Sequence, residues 1–468
     1  MASRIEENLM RLKQDAEERA ARRAPSGVSA SALAGVFEIG AAREAELAAS
    51  TSSLIAAHEA LSAFDFGRGT LASFLELSLL AASAIGASDI HFEPEEGSVR
   101  LRFRIDGFLY DAARIPSDFY RLLASRVKIL AGMKLNADRP QDGRFSLRFS
   151  RKSIEIRLSS APAQYGETFV ARLLDPSVIS VDLSGLGLRS DDLDMLLSEI
   201  AMPNGMILNT GPTGSGKTTT LYALLRQRSR SEEKVITIED PIEYALPGIE
   251  QTQVNPEAGY SFATGLRAIV RQDPDVILIG EIRDGDTAAI AIQAALTGHL
   301  VFSTVHANDA PGAIPRLLDF EAKTSSIGPA LNCVMGQRLV RRLCDACKRP
   351  AKTDAATLDA IRTYAGSFPA RVDRSQIANT ALFEAVGCAS CNHTGYRGRI
   401  GIFEIMRVDH DMGSLIEKGA GPTDIRDFAI THGMVTMQQD GILKALRGIT
   451  TLDEVSSATG PLPPQVPF

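Results

Sequence analysis

The sequence predicts an α/β protein, with a mostly parallel sheet covered by helices on both faces, an α+β domain before it and a cysteine-bearing insertion late in the chain. Three observations lead there. Between Ser190 and about Val340, helical patterns alternate with short apolar runs: Met206 to Leu208, Val235 to Ile238, Val276 to Ile279 and Leu300 to Phe302. A G-x-x-x-x-G-K-[ST] box lies between the first of these runs and a helix. Further upstream, Val99, Leu101, Phe103 and Ile105 alternate with Arg100, Arg102 and Arg104, the period of two expected of a half-buried strand.

A chain of 468 residues, 44% of them hydrophobic, is too long for one core and too apolar to be disordered. Two or three domains are expected. A net charge of -7 argues against a protein that coats itself with nucleic acid or anionic lipid through bulk charge. The first 24 residues are charged and helix-forming without an apolar segment, so they read as neither a signal peptide nor a membrane span. Leu71 to Ala87 carries Glu76 and reads as a buried or amphipathic helix.

In chain order, residues 1–65 form a helical extension of two loosely attached helices, with Ile5, Leu9, Leu12 and Ala16 at helical spacing and a break at Pro25 to Gly27. Residues 66–180 form the α+β domain, where Ile154, Ile156 and Leu158 continue the antiparallel sheet. Residues 181–188 are a linker, 189–340 the parallel α/β core, 341–400 the cysteine insertion and 401–468 a helical end. In that end Thr451 and Glu454 make a capping box.

The glycine box runs Gly211, Pro212, Thr213, Gly214, Ser215, Gly216, Lys217, Thr218, followed by Thr219. Glycines let such a loop wrap until consecutive backbone N–H groups and a helix N-terminus face phosphate oxygens. Lys217 supplies a point charge at the β and γ oxygens, and the Thr218 hydroxyl is the Mg²⁺ ligand. ATP and Mg²⁺ are therefore the expected cofactors.

Hydrolysis also needs a group to orient or deprotonate water, and such groups leave the C-terminal ends of neighbouring strands. Two strands end in carboxylates, one at Glu239 and Asp240 before Pro241, the other at Glu281. Glu281 is the expected general base, and Gly280 stands where a metal-binding Asp commonly precedes it. A strand-end Glu can equally be the structural partner of an arginine such as Arg283, and for Glu239 the two roles weigh evenly. His299 and His306 bracket the run Leu300 to Phe302; either taken singly is more commonly a structural hydrogen-bonder, but His306 at the C-terminal end can reach a γ-phosphate as a sensor.

Four of the five cysteines form two C-x-x-C pairs, Cys344 with Cys347 and Cys388 with Cys391. Two such knuckles bring four thiolates to one tetrahedral ion, and a closed site of this kind is structural zinc rather than a catalytic centre. Redox dithiols are the alternative. Cys333 reads as a small buried apolar residue.

These boxes resemble those of the type II secretion and type IV pilus assembly ATPases, the GspE/PilB-type secretion motors. Ile238 to Tyr244 is similar to the family's aspartate box, Asp273 to Asp284 to its Walker B, and Thr297 to His306 to its histidine box. Upstream, Ala87 to Pro94, Arg102 to Gly107 and Arg139 to Arg144 match as well, so the likeness covers about Thr70 to Gly460. It implies a RecA-like P-loop core with a PAS-like upstream domain, and a cytoplasmic homo-hexamer held at the inner membrane through a platform protein. In the family, arginines of the upstream domain reach bound nucleotide, and the matching positions are Arg157 and Arg172. By sequence alone these can equally decorate the polar face of a sheet. The resemblance also implies the zinc insertion, since assembly motors carry it. The short extension puts cyclic-dinucleotide regulation and the standard adaptor contact in doubt, although its helices can still bind a membrane adaptor.

Two alternatives stay open. One is a zinc-ribbon nucleic-acid adaptor using the basic cluster Arg338, Arg341, Arg342, Lys348 and Arg349; the other is a DNA-translocating ring ATPase. The acidic total and the absence of Trp count against the second, salt-titrated filter binding decides the first, and no nucleic-acid partner is expected.

Overall fold

The computed structural model describes residues 35–136, 139–176, 181–353, 355–373, 377 and 381–463. The first expected helix, within residues 1–24, lies outside these. The chain divides into two compact units, one built mainly from Ala56–Arg104 and Leu109–Leu173, the other mainly from Leu174–Phe468.

The first unit is a seven-stranded sheet. Its strands are β1 (Val36–Glu38), β2 (Asp89–Glu95), β3 (Ser98–Ile105), β4 (Phe108–Pro116), β5 (Gln141–Arg148), β6 (Ser153–Ala163) and β7 (Gly166–Leu174). Their order is β1-β5-β6-β7-β2-β3-β4. Alternation does what the sequence suggests: in β3 Val99, Leu101, Phe103 and Ile105 are buried while the arginines between them are not.

Helix Leu71–Ala84 begins at a capping box in which Thr70 and Ser73 satisfy each other's backbone N–H. It packs with helix Ser117–Leu130 through edge-on contacts among Phe64, Phe66, Phe74 and Phe119. Tyr120 of the second helix stacks on Phe92 and donates to the Glu167 carbonyl at 2.7 Å.

Where the sequence suggests loose helices before residue 65, the described residues hold helices Ala41–Leu47 and Leu54–Ser62, but Val36–Glu38 is a strand paired in parallel with β5. Phe37 and Ile39 are each 1% exposed. Three residues are too few to show a period, which is why the strand is silent in the sequence.

The second unit holds β8 (Gly205–Thr210), β9 (Val235–Glu239), β10 (Glu250–Gln253), β11 (Val276–Ile279), β12 (Leu300–Val305), β13 (Leu331–Leu343) and β16 (Tyr396–Arg407), with a small pair β14 (Arg349–Pro350) and β15 (Phe383–Glu384) between the last two. The main sheet runs β10-β9-β11-β12-β8-β13-β16, parallel except for the antiparallel β13–β16 pair. Every residue of β8, β11 and β12 is buried, as parallel strands covered on both faces must be.

Alternate side chains feed two cores. Met206, Leu208, Ile277 and Ile279 join one with helices Phe262–Val270 and Gly285–Leu296; Ile207, Val276, Leu278 and Cys333 join the other with helices Ser190–Ile200 and Lys217–Arg228. Each such fully buried aliphatic side chain contributes about 1.5–3 kcal/mol. The expected linker is packed here, since Leu183 and Leu186 of its 3₁₀ turn lie in the second core.

The C-terminal region, expected to be helical from 401, opens instead with β16, an edge strand of the main sheet. Ile402, Phe403, Glu404, Ile405 and Met406 are buried consecutively, so this strand lacks the alternation that marks a half-exposed one. Four helices then follow, His410–Glu417, Pro422–Thr431, Met437–Leu446 and Leu452–Thr459. Among the described residues no helix is long and apolar enough to cross a membrane.

Candidate active site and tetracysteine cluster

The glycine loop leaves the C-terminal end of β8 and enters helix Lys217–Arg228. Gly211, Gly214 and Gly216 have φ of 150°, 79° and 89°, the left-handed region that L side chains rarely adopt. The first intrahelical bond runs from Thr220 N to Gly216 O at 3.0 Å, so Lys217, Thr218 and Thr219 form the turn whose N–H groups have no acceptor within the helix. Ser215 Oγ is buried in the loop without a hydrogen-bond partner. An open turn of donors beside an orphaned hydroxyl suits an anion with several oxygens.

Lys217 Nζ donates to the carbonyls of Gly211 at 2.7 Å and Pro212 at 3.0 Å. Burial lowers its ammonium below the ordinary lysine range, while the nearby Glu281 carboxylate pulls the other way. A half-desolvated cation tied only to carbonyls gains by meeting phosphate oxygens.

β12 lies between β8 and β11, so residues following the C-terminal ends of all three meet at one edge of the sheet. Thr304 Oγ1 donates to Gly280 O at 2.8 Å, and Ile282 N donates to Thr304 O at 2.9 Å, fixing the turn that carries Glu281. His306 Nε2 lies 3.1 Å from Glu281 Oε2. Arg283 donates to Glu281 Oε1 at 2.5 Å and to Asp240 Oδ2 at 3.0 Å. Burial pushes the Glu281 carboxyl up, but Arg283 and His306 outweigh it and hold the group below the usual glutamate range.

Glu239 faces inward. Its carboxylate accepts from Tyr222, from Thr237 at 2.6 Å and from Gln251 at 3.0 Å, and it is 4% exposed. Burial and this carboxylate keep the Tyr222 phenol protonated, hence a donor. His299 sits at the start of β12, Nδ1 3.0 Å from Ala294 O. In the first unit, Arg157 pairs with Glu155 at 3.6 Å and Arg172 with Asp89 at 3.1 Å.

Several contacts around the loop come from residues that no motif marks. Asn209 Nδ2 and Thr220 Oγ1 both donate to Gln337 Oε1 at 2.9 Å, across 128 and 117 residues of chain. Thr210 Oγ1 donates to Ala307 O at 2.8 Å, tying the His306 loop to β8. Glu404, whose carboxyl burial pushes up, accepts from Ala310 N at 2.7 Å and from Met437 N at 3.2 Å.

The two C-x-x-C pairs converge, all four sulfurs lying within 4.8 Å of one another. Sγ of Cys344 is 3.9 Å from that of Cys388, and Sγ of Cys391 is 3.8 Å from those of Cys347 and Cys388. A tetrahedral ion with sulfur at about 2.3 Å sets its ligands about 3.8 Å apart, so the cluster fits zinc. Backbone N–H groups of Gly387, Cys388 and Gly395 point at sulfurs from 3.2–3.3 Å. Such donors favour thiolate over thiol.

A parallel sheet of this topology with a glycine loop, a strand-end Glu and a strand-end His at one edge defines a RecA-like P-loop ATPase. The family model for type II/IV secretion system proteins matches residues 66–457. Type II secretion system protein E of Pectobacterium carotovorum is 46% identical over 375 residues, 80% of this chain and 72% of that one. The type IV pilus assembly ATPase PilB of Myxococcus xanthus is 42% identical over 391 residues, 83% and 67% of the two chains. Among solved structures, the pilus retraction motor PilT with bound ADP is 26% identical at a TM-score of 0.55, covering 83% of this chain and 96% of its own. The ATPase DotB of Yersinia pseudotuberculosis shares the fold at a TM-score of 0.63 and 19% identity, covering 85% and 96%. The chain belongs to the type II/IV secretion system ATPases.

Proposed function

We propose that the protein is the ATP-hydrolysing motor for pilus or pseudopilus assembly, working as a homo-hexamer at the cytoplasmic face of the inner membrane against a platform protein. The single observation that carries the chemistry is the meeting of Lys217, Glu281 and His306 where β8, β11 and β12 end. The loop from Gly211 to Thr219 would hold the triphosphate and the Thr218 hydroxyl would hold Mg²⁺, with Asp240 following β9 on the far side of β11. Bound Mg²⁺ neutralises charge on the phosphate oxygens. Glu281 takes a proton from the attacking water once Arg283 lets go of it, and His306 reads the terminal phosphate. Glu239, engaged by three side chains, holds the strand end in place rather than touching substrate. Zinc at Cys344, Cys347, Cys388 and Cys391 closes the base of the insertion.

Mg²⁺-dependent ATPase activity of the assembled protein tests this reading. Lys217→Ala should abolish nucleotide binding and turnover, whereas Glu281→Gln should bind ATP normally and lose about 10²–10⁴-fold in turnover. Undiminished hydrolysis by the Lys217 variant would overturn the proposal. Arg157 and Arg172 are proposed to complete a neighbouring subunit's site by neutralising the transferring phosphoryl group. Mixing Lys217→Ala with Arg172→Ala subunits should then restore part of the activity that neither has alone; no recovery in mixed hexamers removes that role.

A further inference from the structure

We propose that Gln337 is a positioning residue for the phosphate loop, a side chain through which β13 sets the loop's shape from beneath. The inference rests on the reading of Gly211 to Thr219 as a phosphate cradle and adds a residue that no motif contains. β13 pairs with β8 as far as Gly336 opposite Thr210, so Gln337 is the next residue, just where β8 gives way to the loop. It is 2% exposed.

Two hydrogen bonds and two close backbone approaches converge on it. Its Oε1 accepts from Asn209 on the strand before the loop and from Thr220 on the helix after it, both at 2.9 Å. A side chain at Gly211 would put its Cβ 2.3 Å from the Gln337 carbonyl oxygen, and one at Gly216 would put it 2.9 Å from Gln337 Nε2. The residue therefore clamps both ends of the loop through one oxygen and fills the space that two of its glycines leave open. An amide suits this place because it offers an acceptor to the two donors without bringing negative charge beneath a site for polyanions.

The test measures ADP binding with Mg²⁺ to the full-length chain, together with ATPase kinetics of the assembled protein. Gln337→Leu should weaken ADP binding and raise KM for ATP by at least about tenfold while kcat at saturation stays within about threefold, the signature of lost binding common to ground and transition states. Thr220→Val should share part of that loss, and the double variant should lose less than the two single effects combined. Gln337→Glu keeps the acceptor and the length but places an anionic oxygen under the loop, so it should fold and still lose affinity. If Gln337→Glu and Thr220→Val bind ADP within twofold of the natural protein, the proposal fails, whether or not the leucine variant folds. A fall in melting temperature and kcat with KM unchanged would mark a purely structural role and also overturn it. Failure of the unsubstituted chain to bind ADP would sink the ATPase reading itself, a distinct result.

Discussion

Glu281, the proposed base, is held under restraint. Arg283 and His306 share its carboxylate and hold its pKa below the ordinary range, so it is ionised at any pH where the protein works, yet weakly basic while both stay. On the proposed mechanism the ionised form is the active one, and it disappears as pH falls through this depressed pKa. The acid limb of kcat/KM should therefore lie low, and Arg283→Ala should move it to higher pH, which pH–rate profiles of both proteins would reveal. An unmoved limb means that Arg283 does not set the basicity. At this scale the sequence is readable where chemistry constrains composition: a phosphate cradle needs glycine, lysine and a hydroxyl at fixed spacing. It is mute for Gln337, because a side chain that supports a site from a distant strand needs only to arrive there, and nothing local announces it.

Secondary elements divide in the same way. Long periodic segments such as β3 and helix Leu71–Ala84 stand out, whereas β1 is too short and β16 too evenly buried to show a period. The insertion proves to be an excursion between β13 and β16, two antiparallel neighbours, with the four sulfurs at its root. If each thiolate supplies one ligand of a tetrahedral zinc shell, as proposed, Cys391→Ser should reduce bound zinc from about one ion per chain to a small fraction, read by elemental analysis. Chelation should lower the melting temperature of the natural protein and leave the serine variant unaffected. Full zinc content in the variant would contradict the assignment.

Over the whole molecule, distant stretches of the second unit meet in a buried charge network. Arg189 contacts Asp191 at 3.1 Å, Asp192 at 2.7 Å and Asp440 at 3.5 Å; Arg371 of the insertion binds Asp191 at 2.5 Å and Asp192 at 2.7 Å; Lys444 pairs with Asp440. Asp192 and Asp440 are fully buried. Sequence cannot reveal such a network, since each charge looks like an ordinary surface residue until the fold closes over it. Asp440→Ala leaves the Lys444 ammonium without its carboxylate and takes an acceptor from Phe403 N, so it should cost about 3–5 kcal/mol in denaturant unfolding. A loss under about 1 kcal/mol would show that water already reaches these groups.

β13 ends one residue before Cys344, and six residues earlier in that strand Gln337 sits under the glycine loop. From Gln337 to Cys344 an extended backbone spans about 23 Å, stiffened along most of its length by β16. The root of the cysteine excursion and the side chain beneath the glycine loop are thus two points on one length of paired main chain.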